Sequence, residues 1–172
     1  MSDKTKRFEG YTDKVFIEKG GRKGVRTVGS GINVEEKHNQ KNLPADVVSG
    51  KRAITKEEND KAYNAAKAVA SKDADDFLGG AKVDPQARAV IEDMSYNLGG
   101  PRMSKFKGLQ KAVQSGDYGR AADELRYSNA DRKDQETPYF KQTKGRAKEH
   151  YETLSALARQ KKLGDEVARQ IQ

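Results

Sequence analysis

The sequence predicts a mainly helical α+β protein, and three observations carry that prediction. Two short runs rich in β-branched and aromatic residues, 15–17 and 25–28, flank a glycine-rich loop at 19–24, which is the signal of a β-hairpin with a longer than minimal turn. Beyond residue 54 the chain breaks into apolar stripes at helical spacing, most of them opened by a capping residue and several closed by glycine. No segment recurs at a fixed period, so these helices are not a solenoid.

The composition bounds what such a protein can be. At 172 residues the chain can bury a workable core. Apolar residues make up 34% and charged residues 35%, so folding has to come from pattern rather than from bulk hydrophobicity. A formal net charge of +8 favours an anionic partner, whether nucleic acid, acidic membrane or an anionic wall polymer. With no cysteine, disulfides, thiolate chemistry and zinc fingers are excluded. No run approaches the roughly 20 apolar residues that cross a bilayer, and residues 1–7 hold no apolar signal core. Only eight residues precede Glu9, which suits a module of a larger protein as well as a complete chain.

In chain order, residues 3–9 read as a short helix with Ser2 or Asp3 as N-cap and Gly10 after the last turn. Glu9 then meets the negative pole of that helix, which disfavours its ionised form and suits a group that must hold a proton. Glu18 closes the first strand and Thr27 lies on the second. If Glu18 opposes Val25 or Thr27, the strand period of two places Glu18 and Thr27 on one face; a slip of one residue separates them. Gly29 and Gly31 allow close approach of another backbone or a ligand.

Residues 33–51 are polar and read mostly as loop, with a turn or two of helix. Thr55 and Glu58 form a capping box ahead of a long helix reaching Leu78, with Ala62, Ala66, Val69, Ala70, Phe77 and Leu78 as its stripe. Asp84-Pro85 opens a second helix, in which Ala89, Val90, Met94, Asn97 and Leu98 recur at helical spacing; it is the candidate central helix. Ser104 is expected to cap a helix through Val113, and Asp117 another through about Arg126. Residues 129–138 form a charged, turn-rich insertion. Thr143 is expected to cap a helix to about Lys161, striped by Ala147, Tyr151, Leu154 and Ala158, with a short last helix after Leu163.

Two carboxylates and a hydroxyl gathered around one hairpin are the groups that glycoside cleavage requires. One acid protonates the leaving oxygen while a second carboxylate serves the water or the developing cation. Singly, each signal is weak. A glutamate before a glycine is most often a solvated C-cap, a strand-end glutamate discourages sheet-to-sheet pairing, and a threonine in a strand follows ordinary propensity.

The order of these residues raises them above that background. Glu9-Gly10, an acidic residue nine positions on, and Thr27-Val28-Gly29-Ser30-Gly31 resemble the active-site signature of the phage-type lysozymes. Residues 54–58 resemble the start of that family's interlobe helix, Ser95-Tyr96-Asn97-Leu98-Gly99 the end of its core helix, and Gln142-Thr143-Lys144-Gly145-Arg146-Ala147-Lys148 its late Gln-Thr-x-x-Arg-Ala-Lys segment. The resemblance keeps order and spacing from about residue 6 to 154.

The resemblance implies a two-lobed lysozyme-like domain over 1–172: a hairpin lobe at 1–54, an interlobe helix at 55–80 and a helical lobe at 81–172. It implies cleavage of the β-1,4 bond between N-acetylmuramic acid and N-acetylglucosamine in bacterial peptidoglycan, with no metal or organic cofactor. By position Glu9 is the general acid, Glu18 stands where the family usually has aspartate, and Thr27 helps hold the attacking water. Arg146 resembles the arginine that faces the acid, and Asn97 falls where an amide lines the cleft; with Phe106 they are the substrate-binding candidates. Phe106, Tyr96, Tyr139 and Phe140 serve equally as core, the commoner use of such positions. Three departures stand out: glutamate rather than aspartate at 18, a hairpin loop longer by about three residues, and Ile32 where many relatives carry histidine.

Rival readings remain open at this point. A lytic transglycosylase of the same fold needs no second carboxylate, because the substrate's own 6-hydroxyl closes on the cation. A non-catalytic basic module that binds wall or nucleic acid would use the positive charge, but lysine is mixed with acid along the chain and no ribonucleoprotein or helix-turn-helix motif occurs. The expected setting is a monomer that binds peptidoglycan and no nucleic acid, either a phage endolysin or a domain of a larger virion protein. It would reside in the virion or the host cytoplasm before release and act in the periplasm. His38, among Glu35, Glu36 and Asn39, reads as solvated loop rather than a metal site.

Overall fold

The computed structural model describes residues 11–17 and 25–171. The protein is a mainly helical α+β structure with one small antiparallel sheet among the described residues. It divides into two units, Met1–Ser71 and Lys72–Gln172.

The first unit holds the sheet. β1 (Thr12–Ile17) pairs antiparallel with β2 (Arg26–Gly29), with Thr12 opposite Gly29, Phe16 opposite Thr27 and Ile17 opposite Arg26, and a bulge between the first two pairs. Sequence reasoning missed a third strand, β3 (Ile32–Asn33), which pairs with β2 through Thr27↔Asn33 and Val28↔Ile32. It is two residues long and follows a turn at Ser30-Gly31, too short to show a period. Val28, Ile32 and Val34 are buried, whereas Phe16 and Ile17 on the edge strand are exposed.

The predicted loop at 33–51 contains two short helices, α1 (Lys37–Gln40) and α2 (Ala45–Val48). Side-chain amides hold this stretch in place of regular pairing: Asn39 donates to the Asn33 carbonyl at 2.9 Å and Gln40 to that of Val34 at 2.8 Å. α3 (Lys56–Leu78) opens with the predicted capping box. The Glu58 amide donates to Thr55 Oγ1 at 3.2 Å, and the Thr55 amide to Glu58 Oε2 at 3.0 Å. Arg52 clamps the same carboxylate through two nitrogens, at 2.7 and 2.8 Å. Its hydrogen bonds, followed by that from the Thr55 amide, hold the Glu58 pKa down at about 2. Tyr63 and Ala74 join the buried stripe of α3, while Val69 is only half-buried.

The second unit is helical. α4 (Pro85–Leu98) begins as predicted, with Asp84 accepting from the Gln86 amide at 2.7 Å. Residues 90–95 are buried without a break, which makes α4 the central helix of this unit; Ala89, expected inward, is exposed. The inward positions are Ala87, Val90, Ile91 and Met94, the 3–4 spacing that starts two residues earlier. Ser104 does not cap a helix. It ends the short α5 (Gly100–Met103), its hydroxyl donating back to the Pro101 carbonyl, and α6 (Lys107–Gln114) starts without a side-chain cap.

Gly116, at φ +70°, turns the chain out of α6, and Asp117 caps α7 (Tyr118–Arg126) by accepting from the Arg120 amide at 2.9 Å, as predicted. The 129–138 insertion is tied down by ion pairs of Arg120 with Asp131, Lys133 with Asp123 and Arg126 with Glu136. Thr137, not Thr143, is the N-cap that follows, opening α8 (Pro138–Thr143). Thr143 ends that helix, its hydroxyl donating to the Tyr139 carbonyl at 2.8 Å. Both misreadings have one cause: a hydroxyl in the last turn of a helix bonds backward and resembles a cap in sequence. α9 (Gly145–Ile171) then runs unbroken, rather than stopping at Lys161 ahead of a separate helix. Gly164 within it costs about 1 kcal/mol relative to alanine, too little to end a helix. The core gathers Phe77, Leu78, Ile91, Met94, Leu109, Val113, Leu125 and Leu154.

Candidate functional site

Glu9, the expected acid, and Glu18, the expected second carboxylate, lie outside the described residues, as does the predicted helix at 3–9. Thr27 is described, and its surroundings are unusual. It occupies the middle strand with Phe16 opposite it on one side and Asn33 on the other, and only 4% of its surface is exposed. Its Oγ1 has no hydrogen-bond partner among the described residues. An orphaned buried hydroxyl costs about 1–3 kcal/mol. Valine has nearly the same shape without that cost, so packing alone does not account for threonine here.

The end of β2 is fixed to α3 by one side chain. Asn59, 2% exposed, accepts from the Ser30 amide at 2.9 Å and donates to Ser30 Oγ at 3.3 Å. A side chain on Gly29 would overlap Asn59 Oδ1, and Gly29 has φ +61°. Glycine is thus required there both by space and by backbone conformation.

The second unit places the other candidates. Arg146, a substrate-binding candidate by resemblance, is only 5% exposed. Its Nε lies 3.2 Å from Asp93 Oδ2, and His150 Nε2 lies 3.0 Å from the same oxygen. Both nitrogens stand within ion-pair distance of that oxygen without an aligned hydrogen bond to it. The Tyr139 hydroxyl is 3.1 Å from His150 Nδ1, and the two rings stack at 6.3 Å. Phe106 is half-buried and meets Tyr139 edge-on at 6.2 Å, so it joins this group through its ring. Asn97 is half-buried, one turn beyond Asp93 on α4.

Sequence reasoning missed Asp93, His150 and the neighbouring Glu92. Glu92 is 7% exposed and its Oε1 has no partner among the described residues. Two signals were available: consecutive acids inside an apolar helical run, and a histidine four residues after Arg146 on the same helix face. A buried arginine, aspartate and histidine can order one another and fix the direction of a guanidinium. Among the described residues no cluster of histidine and carboxylate ligands suits a metal ion.

The chain matches no protein-family model, and no curated protein is significantly similar to it in sequence.

Proposed function

We propose that this protein is a peptidoglycan-cleaving lysozyme of the phage type, with the two-lobed fold that its motifs imply. It hydrolyses the β-1,4 bond between N-acetylmuramic acid and N-acetylglucosamine. Glu9 gives its proton to the leaving oxygen, while Glu18 and Thr27 hold and activate the water that attacks the anomeric carbon. Inversion requires the two carboxyl groups about 6.5–9.5 Å apart with water between them. Asn97 binds the sugar chain, the buried Arg146 orients the acid, and Phe106 stands behind them. The +8 charge suits an anionic wall, and the acting form is a monomer delivered from the virion or from the host cytoplasm.

The observation that carries this reading is the buried, unpartnered hydroxyl of Thr27, at the position where the motif calls for a water-holding threonine. The neighbouring turn supports it, since Gly29 and Ser30 have the tight packing against α3 that would hold a strand still.

Mass spectrometry of muropeptides released from purified peptidoglycan tests the proposal. Hydrolysis leaves reducing muramic ends. Anhydro-muramic ends would replace hydrolysis by transglycosylation, and intact peptidoglycan with salt-sensitive retardation of DNA would replace the enzyme by a basic binder.

A further inference from the structure

We propose that Asn59 is a positioning residue for Thr27, acting through the β2–β3 turn; this rests on the lysozyme reading above. Thr27 has no hydroxyl hydrogen bond among the described residues to fix it, so its placement comes from its backbone. The sheet that carries that backbone is small: β2 spans four residues and β3 only two, with the six-residue β1 on the other side of β2. Three residues beyond Thr27, Ser30 is fully buried, and Asn59 takes hold of it twice, through the amide and through the hydroxyl. The same carboxamide occupies the space that a side chain on Gly29 would need. Asn59 is the fourth residue of α3, next to the capped start where Thr55 and Glu58 lock the helix end. A rigid helix end thus sets the height of Thr27 in the sheet. A catalytic group displaced by about 1 Å can lose about a hundredfold in rate.

Cleavage rates on soluble peptidoglycan fragments test this, using Asn59→Ala, Asn59→Asp, Thr27→Val and the double variant Thr27→Val/Asn59→Ala, well below each melting midpoint. Asn59→Ala is expected to lower kcat by about ten- to a hundredfold with KM unchanged. Asn59→Asp keeps an acceptor for the Ser30 amide and can accept from its hydroxyl, so it should recover most of the loss. In the Thr27→Val background Asn59→Ala should cost little more, because both act on one group. If Asn59→Ala does not fold, Asn59→Ser, too short to reach both Ser30 groups, replaces it with the same expectation. Losses that multiply in the double variant, a loss confined to KM, or unchanged kcat in the active protein overturn the inference alone. A wild-type chain that releases no reducing ends overturns the functional reading and this inference together.

Discussion

Arg146 and Asp93 form a buried ion pair: Nε and Oδ2 are 3.2 Å apart, with 6% and 9% of the two side chains exposed. His150 reaches the same oxygen at 3.0 Å. Removing one partner of such a group takes away part of what offsets the cost of burying the other. Asp93→Ala is therefore expected to cost about 3–5 kcal/mol, and the double variant Asp93→Leu/Arg146→Met less than the single change. Urea unfolding of the three proteins measures this. Equal stability of Asp93→Ala and wild type would mean the pair is solvated.

Thr27→Val should separate stability from function. The substitution removes the orphaned hydroxyl and keeps the shape, so the melting midpoint is expected to hold or rise. Cleavage of peptidoglycan is expected to fall about a hundredfold, the cost of losing the group that places the water. A variant that melts several degrees lower would show that the hydroxyl is satisfied in the folded state.

Glu58 links stability to acid pH. Its pKa is about 2 in the folded protein against an ordinary value of 4.5, because Arg52 and the Thr55 amide hold the ionised form. The sign follows from that depression: the stabilisation is fully present above pH 4.5 and drains away as pH falls toward 2. Glu58→Gln is thus expected to melt below wild type at pH 7, with the gap narrowing below pH 4.5. Melting curves from pH 7 to pH 3 measure it, and a gap independent of pH would contradict the assignment.

Gly164 lies inside α9 with open space around its Cα. Gly164→Ala should strengthen the distal part of that helix by about 1 kcal/mol. Slower amide exchange at residues 165–168 would show it; faster exchange would indicate a break at Gly164.

Those features that were legible in the sequence share one property: their signal is local. The Thr55–Glu58 box, the Asp84-Pro85 start and the Asp117 cap each depend on groups within a few residues, and each stands as read. β3 was hidden because two residues carry no period. Ser104 and Thr143 misled because a hydroxyl bonds forward at a helix start and backward at a helix end with the same residue type. Of the site, Thr27 could be placed from the hairpin pattern. The burial of Asp93, Arg146 and His150 depends on which helices meet, and the spacing of Arg146 and His150 on one face of α9 does not by itself say that this face turns inward.

Acid catalysis by Glu9 can be read from a single pair of digests. Purified peptidoglycan is digested with the wild-type chain and with Glu9→Gln, and the released muropeptides are weighed by mass spectrometry. The wild type is expected to release reducing muramic ends and a folded Glu9→Gln variant none, if Glu9 is the acid. Equal release from both proteins would contradict that role.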